Sequence, residues 1–162
     1  SCRSIVYTGV FKVISAPIRD IFSVNHGFKN RGMIMKILVV DDDDFVRTVM
    51  AQTLSKAGHD IDESACGNDA LKKLQENVYD VVVTDIVMPD QSGATIGDYV
   101  KNNHLPTAVL AVSAHSRKGE ALEFANYFAD DTLKKPFRKE DLLRAVEGLS
   151  HGNDIEAAML NL

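Results

Sequence analysis

Residues 36–44 read Lys-Ile-Leu-Val-Val-Asp-Asp-Asp-Asp, and the fold follows from the change of character at residue 41. Ile37–Val40 is a short, continuous run of β-branched residues and leucine, the pattern of a strand buried on both faces. Four aspartates end it. Phe45, Val46, Val49, Met50, Thr53 and Leu54 then recur at helical spacing up to Gly58. Taken alone, the acidic run is a solvated turn in which Asp43 or Asp44 caps the helix that follows.

The same alternation continues along the chain. Asp60–Ala65 is a polar strand suited to a sheet edge, and Ala70, Leu71 and Leu74 mark a second helix with Asn68 or Asp69 as its cap. Val81–Thr84 is a buried strand ending at Asp85, and Met88–Gly93 has loop chemistry in Pro89, Asp90 and Gly93. A third helix is predicted from about Thr95 to Asn103, and a fourth strand over Ala108–Val112 ends at Ser113. A fourth helix over about Lys118–Tyr127, a short strand at Thr132–Lys134 and a last helix over Lys139–Leu149 complete the pattern. Five strands alternating with five helices imply parallel βαβ units with right-handed crossovers. The expected fold is therefore α/β: a doubly wound, five-stranded parallel sheet, flavodoxin-like in layout.

Composition agrees with one globular domain plus an appendage. Of the 162 residues 45% are hydrophobic and 25% charged, which argues against disorder over most of the length. Two cysteines, Cys2 and Cys66, exclude a disulfide framework and suit a reducing, cytoplasmic setting. The net charge of −5 averages two unlike parts. Residues 1–32 carry five basic residues (Arg3, Lys12, Arg19, Lys29, Arg31) against Asp20, and the remainder carries 13 basic and 22 acidic residues. An acidic body argues against direct nucleic-acid binding. The uncharged runs of the head, Ser4–Phe11 and Ile21–Phe28, are too short for membrane insertion. The expectation is that residues 1–34 are an N-terminal extension outside the domain, 35–150 the domain, and 151–162 a short tail.

Sheets of this kind place their sites at the carboxyl ends of the strands. There the chain puts Asp41-Asp42-Asp43-Asp44, Asp85, Ser113 and Lys134-Lys135-Pro136. Each has a bland reading: a cap, a loop start, the first residue of a helix, a surface lysine. Their conjunction at one rim does not. Clustered carboxylates repel one another, and a hard divalent cation such as Mg2+ relieves that repulsion through oxygen ligands. One carboxylate can then act as nucleophile toward a phosphoryl group, with a hydroxyl and an ammonium to cradle its oxygens.

Lys36-Ile-Leu-Val-Val-Asp-Asp, Thr84-Asp85-Ile-Val-Met-Pro-Asp-Gln-Ser-Gly93, Val112-Ser113-Ala114 and Lys135-Pro136-Phe137 stand in order over about Met35–Ser150. Together they resemble the receiver domain of two-component response regulators. The resemblance implies that Asp85 takes a phosphoryl group from a histidine kinase or a histidine phosphotransfer protein. It implies Mg2+ held by Asp42 directly, Asp41 directly or through water, Asp85 and the backbone carbonyl of Val87. Ser113 would hydrogen-bond a phosphoryl oxygen and Lys135 would pair with the phosphoryl group. The Lys135–Pro136 peptide would be cis, a geometry tolerated because the residue is proline. Phosphorylation would reshape the surface of the fourth helix, fifth strand and last helix, around Arg117–Tyr127 and Arg138–Leu149, to select a downstream protein partner. With only His151–Leu162 after the last predicted helix, the chain resembles a stand-alone, chemotaxis-regulator-like receiver, without catalytic output of its own. An N-terminal piece of a longer regulator is the other organisation.

Two positions set this chain apart. The family usually has Tyr or Phe three residues before the lysine, where Thr132 stands, so the output is expected not to use a buried aromatic rotamer. The resemblance implies that the side chain two residues after the acceptor, here Val87, overlooks the position of the hydrolytic water; valine cannot hydrogen-bond to it, whereas His115 can, which predicts slow autodephosphorylation influenced by His115. A competing reading is a haloacid-dehalogenase-like phosphatase with Asp42 as nucleophile and Asp44 as acid/base, drawn from Asp42-Asp43-Asp44-Phe45-Val46. It leaves Asp85 and Met88-Pro89 without a role, and its terminal acids would have to follow the lysine, whereas Asp130-Asp131 precede it.

Overall fold

Val82 and Val83 are adjacent in sequence and face opposite hydrophobic layers, because side chains alternate across a strand. That geometry requires cover on both sides of the sheet, and the computed structural model of the chain, which describes residues 33–114 and 125–160, supplies it. The strands are β1 (Lys36–Val40), β2 (Asp60–Ser64), β3 (Val81–Asp85), β4 (Ala108–Ser113) and β5 (Asp131–Lys134). The helices with described bounds are α1 (Asp44–Lys56), α2 (Gly67–Glu76), α3 (Gly93–Asn102) and α4 (Lys139–Leu160). All strand pairs are parallel, in the order β2-β1-β3-β4-β5.

On one face Leu38, Val40, Val82 and Val109 pack with Ala70 and Leu74 of α2 and Ile96 and Val100 of α3. On the other, Ile37, Val39, Val81, Val83 and Leu110 pack with Met50 and Leu54 of α1 and Leu142 and Val146 of α4. Full burial of each such side chain is worth about 1.5–3 kcal/mol, so the central strands are fixed from both sides. The polar β2 lies at the sheet edge, as its composition requires.

The register sets the functional rim. Val40 pairs with Ser64 and Thr84, Asp85 with Val112, and Ser113 with Lys134. The residues that leave these strands therefore all emerge at one edge. Asp43 caps α1, accepting from the backbone N–H groups of Phe45 and Val46. At the other end of α1, Gly58 turns the chain with φ of 101°, in the left-handed region that glycine tolerates.

Three sequence expectations are corrected. Neither Asn68 nor Asp69 caps α2: the helix begins at Gly67 after Cys66, whose side chain makes no capping bond. The last helix does not stop at Leu149 but continues to Leu160, through residues 151–160 of the expected tail. Gly148 and Gly152 fall within it, and a glycine inside a helix costs only about 1 kcal/mol relative to alanine. The helix expected to reach Tyr127 ends at Ala125, with a turn at residues 126–128, and residues 115–124 lie outside the described residues. Among the described residues no helix is long and apolar enough to cross a membrane.

Candidate functional site

Asp41 leaves the end of β1 and is fully buried, Asp42 beside it is exposed, and Asp85 ends β3 half-buried. Carboxylate oxygens of all three lie within 4.8 Å of one another. β1 and β3 are neighbours in the sheet, so their ends deliver these acids to one place without help from a long loop.

Asp41 is held from several directions. Its Oδ1 accepts the Asp43 N–H at 2.9 Å, its own N–H donates to the Ser64 carbonyl at 3.2 Å, and Arg47 donates to its carbonyl oxygen at 2.8 Å. Lys135 Nζ donates to Asp41 Oδ2 at 2.7 Å and stands 3.6 Å from Asp85 Oδ1. The lysine is placed by its backbone, whose N–H donates to the Ser113 carbonyl at 2.7 Å, extending the β4–β5 ladder by one residue. From there its side chain reaches across the ends of β4 and β3 to the acid after β1. The Lys135–Pro136 peptide is cis.

Burial pushes the Asp85 carboxyl above the usual carboxylate range. Lys135 opposes that shift, the charges of Asp41 and Asp42 add to it, and the Ile86 N–H, donating to Asp85 Oδ1 at 2.9 Å, opposes it again. The oxyanion is thus desolvated and crowded by like charge, with one ammonium in reach. Carboxylate oxygens of that kind match the ligand preference of Mg2+, which takes hard oxygen donors and keeps several waters.

The other expected residues fall as follows. Ser113 ends β4 buried, and its hydroxyl donates to the Ala114 carbonyl at 2.9 Å, at the same edge as Asp85. Val87 is 72% exposed just beyond Asp85. Thr132 lies half-buried in β5, away from the carboxylate cluster in the ladder, opposite Ala111. His115 lies outside the described residues.

Residues 37–147 match the family described as the response regulator receiver domain. The chain belongs to that family. Regulatory protein VanRB of Enterococcus faecalis is 32% identical over 118 residues, covering 72% of this chain and 53% of that protein. DNA-binding transcriptional regulator NtrC of Azospirillum brasilense is 30% identical over 123 residues, covering 76% of this chain and 26% of that protein. The chain thus spans from about a quarter to about half of these relatives' length. The crystal structure of Vibrio cholerae chemotaxis protein CheY4 is similar with a TM-score of 0.65 at 28% identity, over 72% of this chain and 99% of that one. Receiver domains are phosphoacceptor signalling domains that interact with histidine kinases, and the phosphatase alternative is not favoured.

The bonding roles of two residues, Arg47 and Asp90, escaped sequence reasoning. The half-buried Arg47 bonds the Asp41 carbonyl and pairs with Asp44 at 2.5 Å and Glu63 at 3.5 Å. An arginine one helical turn after Asp44 was its only sequence trace. Asp90 in the loop after β3 accepts the backbone N–H groups of Gly67 at 3.1 Å and Asn68 at 2.9 Å. Backbone N–H groups, that of Asn68 foremost, then that of Gln91 and more weakly that of Gly67, hold its carboxyl down to about 2. Asn68 and Gly67 lie 22 and 23 residues away, beyond the reach of any local pattern.

Proposed function

We propose that Asp85 is the phosphoacceptor of this receiver, with Asp41, Asp42 and the Val87 carbonyl as its partners in holding Mg2+. The observation that carries the reading is the meeting of three carboxylates within 4.8 Å with the Lys135 ammonium 2.7 Å from one and 3.6 Å from another. A bound Mg2+ would supply charge neutralisation and orientation of phosphoryl oxygens. An Asp85 oxygen attacks phosphorus as the bond to the donor's leaving group breaks. Lys135 Nζ pairs with the phosphoryl oxygens, and the Ser113 hydroxyl rotates from the Ala114 carbonyl to donate to one of them.

The donor is a histidine kinase or histidine phosphotransfer protein, and the protein acts in the cytoplasm as a signalling domain rather than an enzyme with a turnover of its own. The domain occupies residues 35–150, with 1–34 outside the functional unit. Downstream protein partners are selected through the face around residues 117–127 and 138–149, without direct nucleic-acid contact. Because Thr132 replaces the usual aromatic residue, that selection does not rest on a ring rotamer in β5.

The test is phosphorylation by a small phosphoramidate with Mg2+, followed by mass spectrometry after reductive trapping of the acyl phosphate. Label is expected on Asp85 and absent from Asp85→Asn. Label on Asp42 instead would overturn the assignment.

A further inference from the structure

The stretch from Asp85 to Gly93 is pinned at both ends. At its carboxyl end Gly93 lies so close to the acceptor strand that a Cβ there would stand 2.4 Å from the Asp85 carbonyl oxygen, and its N–H donates to the Ile86 carbonyl at 3.1 Å. At its crown the loop rests on α2. A Cβ on Gly67 would stand 2.4 Å from Gln91 Cβ, and the Asp90 carboxylate takes both Gly67 and Asn68 N–H groups, one on each oxygen. α2 has no capping side chain of its own, so Asp90 supplies the missing acceptor from the loop.

This junction continues into the acidic cluster from the other direction. The Ser64 hydroxyl donates to the Cys66 carbonyl at 2.8 Å, and the Ser64 carbonyl accepts the Asp41 N–H at 3.2 Å. The hydrogen-bonded path runs from Asp41 through the end of β2 and the start of α2 to Asp90, and back along the chain to Asp85. Asp90 is the side chain that closes this ring from the loop.

We propose that Asp90 is a positioning residue for the acceptor site: by latching the loop after β3 onto the amino end of α2, it fixes the backbone around Val87 relative to Asp41 and Asp85. The inference rests on the proposed role of these residues in holding Mg2+. Outer partners that orient metal ligands typically contribute tenfold or more to metal affinity, although they touch no metal. Two readings compete with it. Asp90 could be a helix cap without consequence for the site, or act only through its negative charge.

The test uses the full chain, with Mg2+ affinity followed by NMR titration and amide hydrogen exchange followed at Gly67 and Asn68. Asp90→Ala is expected to speed exchange at both amides and to weaken Mg2+ binding about tenfold. Asp90→Asn, which removes the charge and keeps one of the two oxygen acceptors, is expected to recover part of the affinity. Gly67→Ala pushes on Gln91 from the opposite side with Asp90 intact, and is expected to weaken Mg2+ binding as well. Unchanged exchange in Asp90→Ala, or Mg2+ affinity within twofold of wild type, overturns the latch. Equal loss in Asp90→Asn and Asp90→Ala also overturns it, in favour of charge alone. A wild-type chain that gives no Mg2+ response removes the metal site itself, a result distinct from either failure of the latch.

Discussion

Replacing Asp85 by Asn should make the metal-free protein more stable, because the charge that the proposed phosphoryl transfer would use works against folding. Two carboxylates at up to 4.8 Å each repel Asp85 by about 0.9 kcal/mol in a water-like dielectric and about 3.5 kcal/mol at an effective dielectric of 20. Lys135 at 3.6 Å attracts it by about 1.2 to 4.6 kcal/mol on the same scale. Two repulsions outweigh one attraction by roughly 0.5–2.5 kcal/mol, and burial acts in the same direction. Asparagine removes the charge while its side-chain oxygen can keep the bond from the Ile86 N–H. The expected gain is about 1 kcal/mol in EDTA, a rise in melting temperature of about 4 °C for a domain of this size. Urea denaturation with and without Mg2+ is the assay. Wild type gains about 1.4 kcal/mol at tenfold excess over its dissociation constant, whereas Asp85→Asn gains far less, so the order of stabilities closes or reverses. A variant no more stable than wild type in EDTA would refute the charge argument.

Three further outcomes follow from the same structure. Lys135→Met leaves the fully buried Asp41 carboxylate without its ammonium and should cost about 3 kcal/mol in EDTA, with part of the loss recovered in Mg2+; urea curves under both conditions measure it. Gly93→Ala forces a Cβ against the Asp85 carbonyl and should cost about 1–3 kcal/mol and slow phosphorylation by a small donor, read by denaturation and single-turnover kinetics. Burial holds His59 below its ordinary value against the pull of Glu147, and its Nδ1 accepts the Met35 N–H at 3.3 Å. Between that lowered value and the unfolded value of about 6.5 the unfolded chain binds more protons, so stability is full above this window and falls as pH drops through it. Stability measured from pH 7.5 to 5.5 should decline for wild type and stay flatter for His59→Gln.

The sheet was legible because its strands are buried on both faces: Ile37–Val40, Val81–Val83 and Ala108–Val112 are apolar without interruption, as full burial demands. The edge strand β2 was legible for the opposite reason, its alternation of Asp and Ile. The main acids, Ser113 and Lys135 were readable once the strand ends were known, because a parallel sheet fixes on which edge those ends emerge. Sequence reasoning failed where the partner was remote or the cost was small. The cap of α2 comes from a loop 22 residues away, which no local cap pattern at Asn68 or Asp69 could show. The run of the last helix past Gly148 turned on about 1 kcal/mol per glycine, too little to end a helix already under way.

The two-layer core also explains how an unfavourable charge cluster persists. Asp41 would move toward water if the end of β1 could give way, yet Val39 and Val40 beside it are fully buried on opposite faces and paired to β2 and β3. Asp85 is tied likewise through Thr84 and the bond of Ile86 to Val112. Displacing either acid means breaking strand pairing that the hydrophobic layers on both sides hold in place. Repulsion of one or two kcal/mol is smaller than that, so it is retained in the folded state as a standing preference for positive charge. Lys135 meets part of this preference, and because its ammonium sits on Asp41 rather than on Asp85, Asp85 keeps the weaker share. Of these two acids, that asymmetry leaves Asp85 with more to gain from an incoming cation, and its substitution as the more telling of the pair.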